Sequence, residues 1–374
     1  MNSYVDDPAM VLTGRPADRD MTTAVVILVW RALNLKLSFK KGQRGQTIDW
    51  IGFRVLVECM RNHQAVTATL RPETHAELVK LLQDMAARNM LKVKDVRSCA
   101  GKLSNVARLL MAWRPFLAEF WAALTLADRT KSKRIWRRQL APAIRWFLAF
   151  LDEEHAGITR TFRLSAYTTP ASATSITLDG SPYGMGAFIC VDGRPLEWFA
   201  VPLSSDDLEL FGKEAGSCTG QQIWECLCAL IALTVWRKHW VSDRCLLQVR
   251  GDNVSLLTML EDLKVRGEGV TIIAREVALL VAGACYKPIT ATHVAGLANV
   301  VADGLSRRFD PEYQEGWKPH VFLAPAVEVE VPNRPKSWYK TWCQPESGPQ
   351  PAARGNRRGR KRQHFAQRAK RKQQ

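Results

Sequence analysis

Four acids in the second half of the sequence stand where hard oxygen ligands are useful. Asp179 closes the apolar run Ile176-Thr177-Leu178 and is followed by Gly180-Ser181, so it sits where a strand runs out toward solvent. Glu225 is the only acid between Ala215 and Ser242, inside Ile223-Trp224-Glu225-Cys226-Leu227-Cys228-Ala229-Leu230-Ile231. A carboxylate in such surroundings is costly unless its charge is compensated. Asp252 follows Leu246-Leu247-Gln248-Val249-Arg250-Gly251, and Asp303 follows Asn299-Val300-Val301-Ala302 in the first turns of a helix. Gathered together, such side chains would hold two divalent cations about 3.5–4 Å apart, one to activate water and one to neutralise a leaving oxygen, which is the chemistry of phosphodiester hydrolysis.

Each acid also has a plainer role open to it. Asp252 can cap the helix that starts at Asn253. Asp179 can be a turn residue, Glu225 can pair with Arg237-Lys238, and Asp303 can complement a helix dipole. The joint order of strand end, helix, strand end and helix is what favours chemistry over four separate accidents.

Charge points to the partner. The 374 residues carry 53 Lys and Arg against 36 Asp and Glu, a net +17, and the simplest partner for such an excess is a polyanion. Ten of the basic residues lie between Arg354 and Lys372 in a stretch without an acid, so the body of the chain is basic only by +7. Apolar residues at 47% and thirteen Trp exclude a disordered chain. Nine Cys without a C-x-x-C pair or regular His spacing exclude a zinc site or disulfide framework and fit a reducing compartment, cytoplasmic or nuclear. The apolar stretch Cys226 to Trp236 is well short of the roughly 20 residues a membrane span requires, so no membrane is expected.

The elements that must position the acids follow from periodicity. Strands are predicted over 175–181, 184–191 and 194–203, with Val191-Asp192-Gly193-Arg194 as a hairpin turn. A long helix over 219–240 follows, then a strand 246–250, helices 253–264 and 270–284, a strand 289–293 and a helix from Asn299. Upstream, an apolar helical pattern runs from Asp20 to Leu35 through Val25, Leu28, Val29 and Leu33, and 47–57 reads as β-structure. Residues 72–151 read as helices, with Leu78, Leu81, Leu82 and Met85 on one face of the first and three more over 93–111, 113–128 and 132–152. Thr, Ser, Ala and Pro dominate 157–175, the composition of a linker.

It is in this setting that the second half resembles ribonuclease H. The matching stretches are Ile176-Thr177-Leu178-Asp179-Gly180-Ser181, Glu225 in its helix, Gly251-Asp252-Asn253, and His293-Val294-Ala295-Gly296-Leu297-Ala298-Asn299-Val300-Val301-Ala302-Asp303-Gly304-Leu305-Ser306-Arg307. The last is similar to the H-x-x-G-x-x-N-x-x-A-D-x-L-S-R ending of retroelement ribonuclease H domains. The resemblance implies that Asp179, Glu225, Asp252 and Asp303 ligate two Mg2+ (or Mn2+) ions. It also implies that His293, in a mobile loop beside them, assists product release or proton transfer, and that the substrate is an RNA·DNA hybrid.

The first half resembles the carboxyl-terminal part of a polymerase of the same kind. Tyr4-Val5-Asp6-Asp7 resembles the Y-x-D-D box of reverse transcriptases, whose Asp pair binds metal at a tight hairpin. Trp50-Ile51-Gly52-Phe53 resembles a primer-grip strand, with Trp50 and Gly52 as its marks. Cys99 to Ala107 and Arg114-Pro115-Phe116-Leu117 look like the thumb of DIRS-type retrotransposon reverse transcriptases. A further palm Asp and the fingers lie upstream of the box in that family and are missing from this sequence, so Asp6 and Asp7 are expected to be a vestigial polymerase site.

The expected fold class is α+β, a ribonuclease H-like mixed five-stranded sheet with helices, preceded by a partial palm and a helical thumb or connection. The expected division is a partial palm at 1–70, thumb and connection at 71–156, a linker at 157–174 and the ribonuclease H-like domain at 175–310. An irregular Pro/Trp-rich segment at 311–353 and a basic disordered tail at 354–374 complete it. Nucleic acid is expected to meet Lys40, Lys41, Arg44, Lys102 and the tail residues Arg357, Arg358, Arg360, Lys361 and Arg362, a run that also reads as a nuclear localisation signal. The competing function is a catalytically inactive relic that binds nucleic acid. For the helices at 72–151 the competing role is a plain bundle with solvated basic faces.

Overall fold

The computed structural model describes residues 2–4, 7–12, 14–60, 63–153, 157–168, 172–241, 245–264, 267–284, 286 and 289–341. Asp6 and the basic run Arg357 to Arg362 lie outside the described residues. Strands β1 (Asn2–Tyr4) and β2 (Asp7–Ala9) pair antiparallel with Tyr4 opposite Asp7. The helix α1 (Pro16–Ala32) forms where the apolar periodicity predicts it, but none of its residues is buried, and Val25, Leu28 and Val29 are exposed.

Strands β3 (Thr47–Trp50), β4 (Phe53–Met60) and β5 (His63–Leu70) form an antiparallel meander. The β-structure expected over 47–57 is therefore two strands and not one. Trp50 pairs with Phe53 across Ile51 and Gly52, whose φ values of 41° and 89° are the left-handed pair that a tight hairpin needs. Trp50 and Gly52, the residues marked by the primer-grip resemblance, thus sit at the end of this hairpin.

Helix α2 (Pro72–Ala87), strand β6 (Met90–Lys92), helices α3 (Val93–Val106) and α4 (Arg114–Arg129), strand β7 (Arg134–Trp136) and helix α5 (Ala141–Leu151) come next. Leu78, Leu82 and Met85 are buried as their spacing predicts. The helix expected from 132 begins only at Ala141, because Arg134-Ile135-Trp136 is drawn into an extended pair with Met90-Leu91-Lys92. The bundle closes on an aromatic core in which Phe116 meets Phe150 edge-on at 5.0 Å and Trp113 stacks on Phe150 at 5.7 Å.

The expected linker is not one. Strand β8 (Thr159–Arg163) pairs with β5 and completes a four-stranded sheet, and the short helix α6 (Ser165–Thr168) follows. Threonine makes this segment look like a linker by composition, yet its β-branched side chains suit a strand, and Thr159 and Thr161 hydrogen-bond to Thr69 and Thr67 across it.

The second half is built on β9 (Ser172–Gly180), β10 (Gly184–Val191) and β11 (Arg194–Pro202), then α7 (Ser205–Phe211) and α8 (Gln221–Val235). Strand β12 (Cys245–Gly251), helices α9 (Val254–Asp262) and α10 (Glu268–Ala282), strand β13 (Ile289–His293), helix α11 (Val300–Ser306) and strand β14 (Val327–Glu328) complete it. The sheet order is β13-β12-β9-β10-β11-β14, with β9, β10 and β11 antiparallel and β12 and β13 parallel to β9. The class is α+β with a mixed sheet. It has the five expected strands and a sixth, since the two residues of β14 join the β11 edge.

Alternate residues of the strands face two cores. Ile176, Leu178, Met185, Ala187, Ile189 and Val249 pack under α8 and α10. Phe188, Cys190 and Trp198 meet Ala302, Leu305 and Leu323 on the opposite side. The window Cys218–Val235 is long and apolar enough to cross a membrane, but 61% of it is buried inside the protein, as befits a core helix.

The segment after residue 310 is not loose. Leu323, Arg334, Tyr339 and Thr341 are buried, Arg334 pairs with the fully buried Asp207 of α7 at 2.6 Å, and Thr341 hydrogen-bonds Glu276 of α10. It is a strap across the domain, and its Pro and Trp content hid that. Helix α10 also leans on the bundle: Arg275 pairs with Glu119 and lies over the Phe116 ring at 5.0 Å.

Candidate functional site

The end of β9 and the first turns of α8 meet because Gly180 has no side chain. A Cβ there would lie 2.7 Å from the backbone nitrogen of Glu225 and 2.8 Å from the carbonyl carbon of Trp224. Glycine therefore brings Asp179 and Glu225 onto neighbouring backbone. On the other side of the sheet Gly186, opposite Asp179 in register, lets α11 lie flat, since a Cβ would fall 2.3 Å from that of Leu305. This sets Ser306 beside Asp179.

Asp179 is 6% exposed. Ser306 Oγ donates a 2.5 Å hydrogen bond to its Oδ2. Burial, chiefly, and the charges of Asp252 and Asp303 push its pKa up to about 7 against the lowering by Ser306. Glu225, 4% exposed, is raised to about 7 as well, first by burial and then by Asp252 and Asp179, against hydrogen bonds from Asn253 and Gln221. Asp252 thus acts on both buried carboxylates, Asp179 also on Glu225, and Asp303 on Asp179.

Asp252 follows β12 and does not cap α9. Asn253 does, its Oδ1 accepting from the backbone N–H groups of Ser255 and Leu256 at 2.8 and 3.3 Å. The alternative partner for Glu225 also falls away, because Lys238 pairs with Glu197 at 2.8 Å. Asp303 accepts a 2.7 Å hydrogen bond from Arg307 Nε one turn on. His293 ends β13 and is not in a loop; its Nε2 donates to the backbone carbonyl of Asp252 at 3.1 Å.

Among the described residues no group of three or more His, Cys, Asp or Glu side chains is gathered tightly enough to hold a metal ion. The acids form an open neighbourhood and not a closed cage. The donor set nevertheless fits a hard cation. Glu225 Oε2 and Asn299 Oδ1 are buried without a hydrogen-bond partner, and the two buried carboxylates Asp179 and Glu225 are both raised by the charge of Asp252.

Ser306, Asn253, Asn299 and Arg307 belong to this site although no role was expected of them. Asn299, 2% exposed, donates to the Leu178 carbonyl at 3.2 Å and ties the start of α11 to β9. The signal available in the sequence was the packing of small polar residues around each acid, in Asp252-Asn253 and in Asp303-Gly304-Leu305-Ser306-Arg307. The expected nucleic-acid contacts are scattered: Lys40 and Lys41 are exposed in a turn, whereas Arg44 and Lys102 are already paired with Asp20 and Glu77.

No family model and no curated protein sequence matches the chain. Among solved structures it is similar to the foamy viral protease-reverse transcriptase. In complex with an RNA/DNA hybrid, that protein aligns at 12% identity and a TM-score of 0.29 over 76% of this chain and 34% of its own. A dRH form with double-stranded DNA gives 12%, 0.30, 76% and 44%, and a further complex with double-stranded DNA gives 12%, 0.26, 74% and 51%. The chain spans about half or less of the length of these proteins. A likeness at this identity and TM-score assigns neither activity nor site.

Proposed function

We propose that the chain is a divalent-metal-dependent nuclease of the ribonuclease H type, related to DIRS-type retrotransposon reverse transcriptases, that cleaves the RNA strand of an RNA·DNA hybrid. The observation that supports this most is the pair of buried carboxylates Asp179 and Glu225, both raised by the charge of Asp252 and Glu225 also by that of Asp179, while Glu225 Oε2 lacks a hydrogen-bond partner. Such an arrangement is destabilising by itself and is retained at functional sites.

Two Mg2+ or Mn2+ ions, when bound, supply the Lewis acidity that activates water and neutralises the leaving 3′-oxygen. Asp179, Glu225, Asp252 and Asp303 are the residues that would hold them. Ser306 and Asn253 orient the first two carboxylates, and Arg307 holds the fourth. His293, with Nε2–H committed to the Asp252 carbonyl, keeps Nδ1 as a proton acceptor beside the site. The basic body and tail supply sequence-independent attraction to phosphates. Six described cysteines are free, which suits a cytoplasmic or nuclear location.

A second reading, a nucleic-acid-binding relic, is favoured by the openness of the acid cluster and by the Asp303–Arg307 pair. A fluorescent RNA·DNA hybrid incubated with the full chain and Mg2+ separates the two. Hydrolysis abolished by Asp179→Asn supports the nuclease; binding without cleavage supports the relic.

A further inference from the structure

Beyond the reach of α11, one face of the sheet is open. Along β12, Cys245, Leu247 and Val249 point into the core, while Leu246 is exposed and Gln248 and Arg250 are half-buried on the other face. The register continues this face sideways: Gln248 lies between Ser175 and Thr290, and Arg250 between Thr177 and Thr292. One step further along the same face come Asp179 and Asp252, because side chains two residues apart share a face. The Cα of Arg250 is therefore about 6.6 Å from that of Asp252.

Asp179 is the only acid in β9, β12 and β13. Arg250 Nε and Nη2 both donate to Gln248 Oε1, at 2.8 and 2.5 Å, and Gln248 Nε2 donates to Thr292 Oγ1 at 2.7 Å. The guanidinium is thus held in one orientation by neutral groups, with Nη1 not used in these bonds and no ion pair to a carboxylate among the described residues. A half-buried cation oriented by neutral partners is complementary to an anion that arrives from outside.

We propose that Arg250, oriented by Gln248 and Thr292, is a backbone-phosphate subsite for the nucleic-acid strand that crosses the carboxylate cluster. The ligand class is the sugar-phosphate backbone of RNA or DNA, which the Arg fork grips without reading bases. The proposal rests on the nuclease reading for what lies next to the subsite. Its accessible hydroxyl neighbours Ser175, Thr290 and Thr292 suit ribose and phosphate oxygens, while Thr177 beside them is buried.

The test uses the full chain with Arg250→Gln and Arg250→Lys. Hybrid binding is first measured in EDTA from 50 to about 300 mM salt, where cleavage plays no part. Arg250→Gln is expected to lower the slope of log affinity against log salt by about one, while Arg250→Lys keeps the slope. Under Mg2+, both variants are expected to raise KM, the Gln variant by roughly tenfold, with little effect on kcat. Melting temperatures check that each variant is folded. An unchanged slope in folded Arg250→Gln, or an unchanged KM in Arg250→Lys, overturns the subsite while leaving the nuclease reading intact. A chain that never cleaves, but whose slope falls with Arg250→Gln, supports the subsite and sinks the nuclease.

Discussion

Ser306 and Asp179, 127 residues apart in the chain, are joined by a 2.5 Å hydrogen bond inside the protein. The hydroxyl lies on α11 and the carboxylate at the end of β9, so one bond fixes both the helix that carries Asp303 and the acid it must face. Ser306→Ala leaves a buried carboxylate oxygen without its donor. The expected cost is about 1–3 kcal/mol in denaturant unfolding, with the Asp179 pKa rising further because the lowering bond is gone. An unaltered unfolding midpoint would show that the bond does not hold the helix.

Asp179 and Glu225 make stability depend on pH in a fixed direction. Both pKa values are raised, from 3.8 and 4.5 to about 7, so the unfolded chain releases these protons first. The stability they confer as neutral acids is full below pH 4 and is lost as pH rises through about 7. Asp179→Asn is therefore expected to raise the stability of the metal-free protein at pH 8, by on the order of 3 kcal/mol, and to change little at pH 4. Thermal melts at the two pH values check this.

The same charge repulsion predicts a metal effect independent of catalysis. Mg2+ is expected to raise the melting temperature at pH 8 more than at pH 5, where protons already occupy the acids, and the difference should shrink in Asp179→Asn. Equal shifts at both pH values would argue against binding at these carboxylates.

The backbone approach at Gly180 allows no side chain. Gly180→Ala places a methyl 2.7 Å from a helix nitrogen that cannot swing aside, so α8 must shift and carry Glu225 with it. A loss of about 1–3 kcal/mol is expected, together with a loss of hybrid cleavage at temperatures where the variant remains folded. Calorimetry and the cleavage assay separate the two effects.

The strap predicts where truncation fails. Ending the chain at residue 310 removes Arg334 and leaves Asp207 buried and unpaired, and it also removes Tyr339 from the core. Arg334→Ala alone is expected to cost about 3–5 kcal/mol, since breaking a buried pair strands a charge. A truncated chain that melts like the full one would disprove the strap.

What could be read from sequence depended on how local the cause was. Gly184–Val191 and Ile289–His293 were predicted to the residue, because a short uncharged run forms each strand and Asp192-Gly193, at φ 49° and 80°, sets the turn between β10 and β11. The acids were found because each interrupts or ends an apolar run. Residues that act across distance were not found. Ser306 reads as an ordinary helical serine until α11 is seen against β9, and Val327-Glu328 is too short to show a period before β11 offers an edge. Strand β8 was lost to its linker-like composition, and α7 to the brevity of its seven residues.

Strand β8 also constrains the order of assembly. It lies beyond the whole helical bundle in the chain, yet its partner is β5, and the Thr67–Thr161 contact spans 94 residues. A nascent chain therefore makes β3, β4 and β5 long before the strand that finishes their sheet leaves the ribosome. Until then the edge of β5 is an open template for other chains. Closure is a high-contact-order step that waits for the bundle to fold between the two halves. The sheet and the bundle should accordingly unfold as one cooperative unit, with the exposed β5 edge as the point at which slow synthesis or heat leads to aggregation.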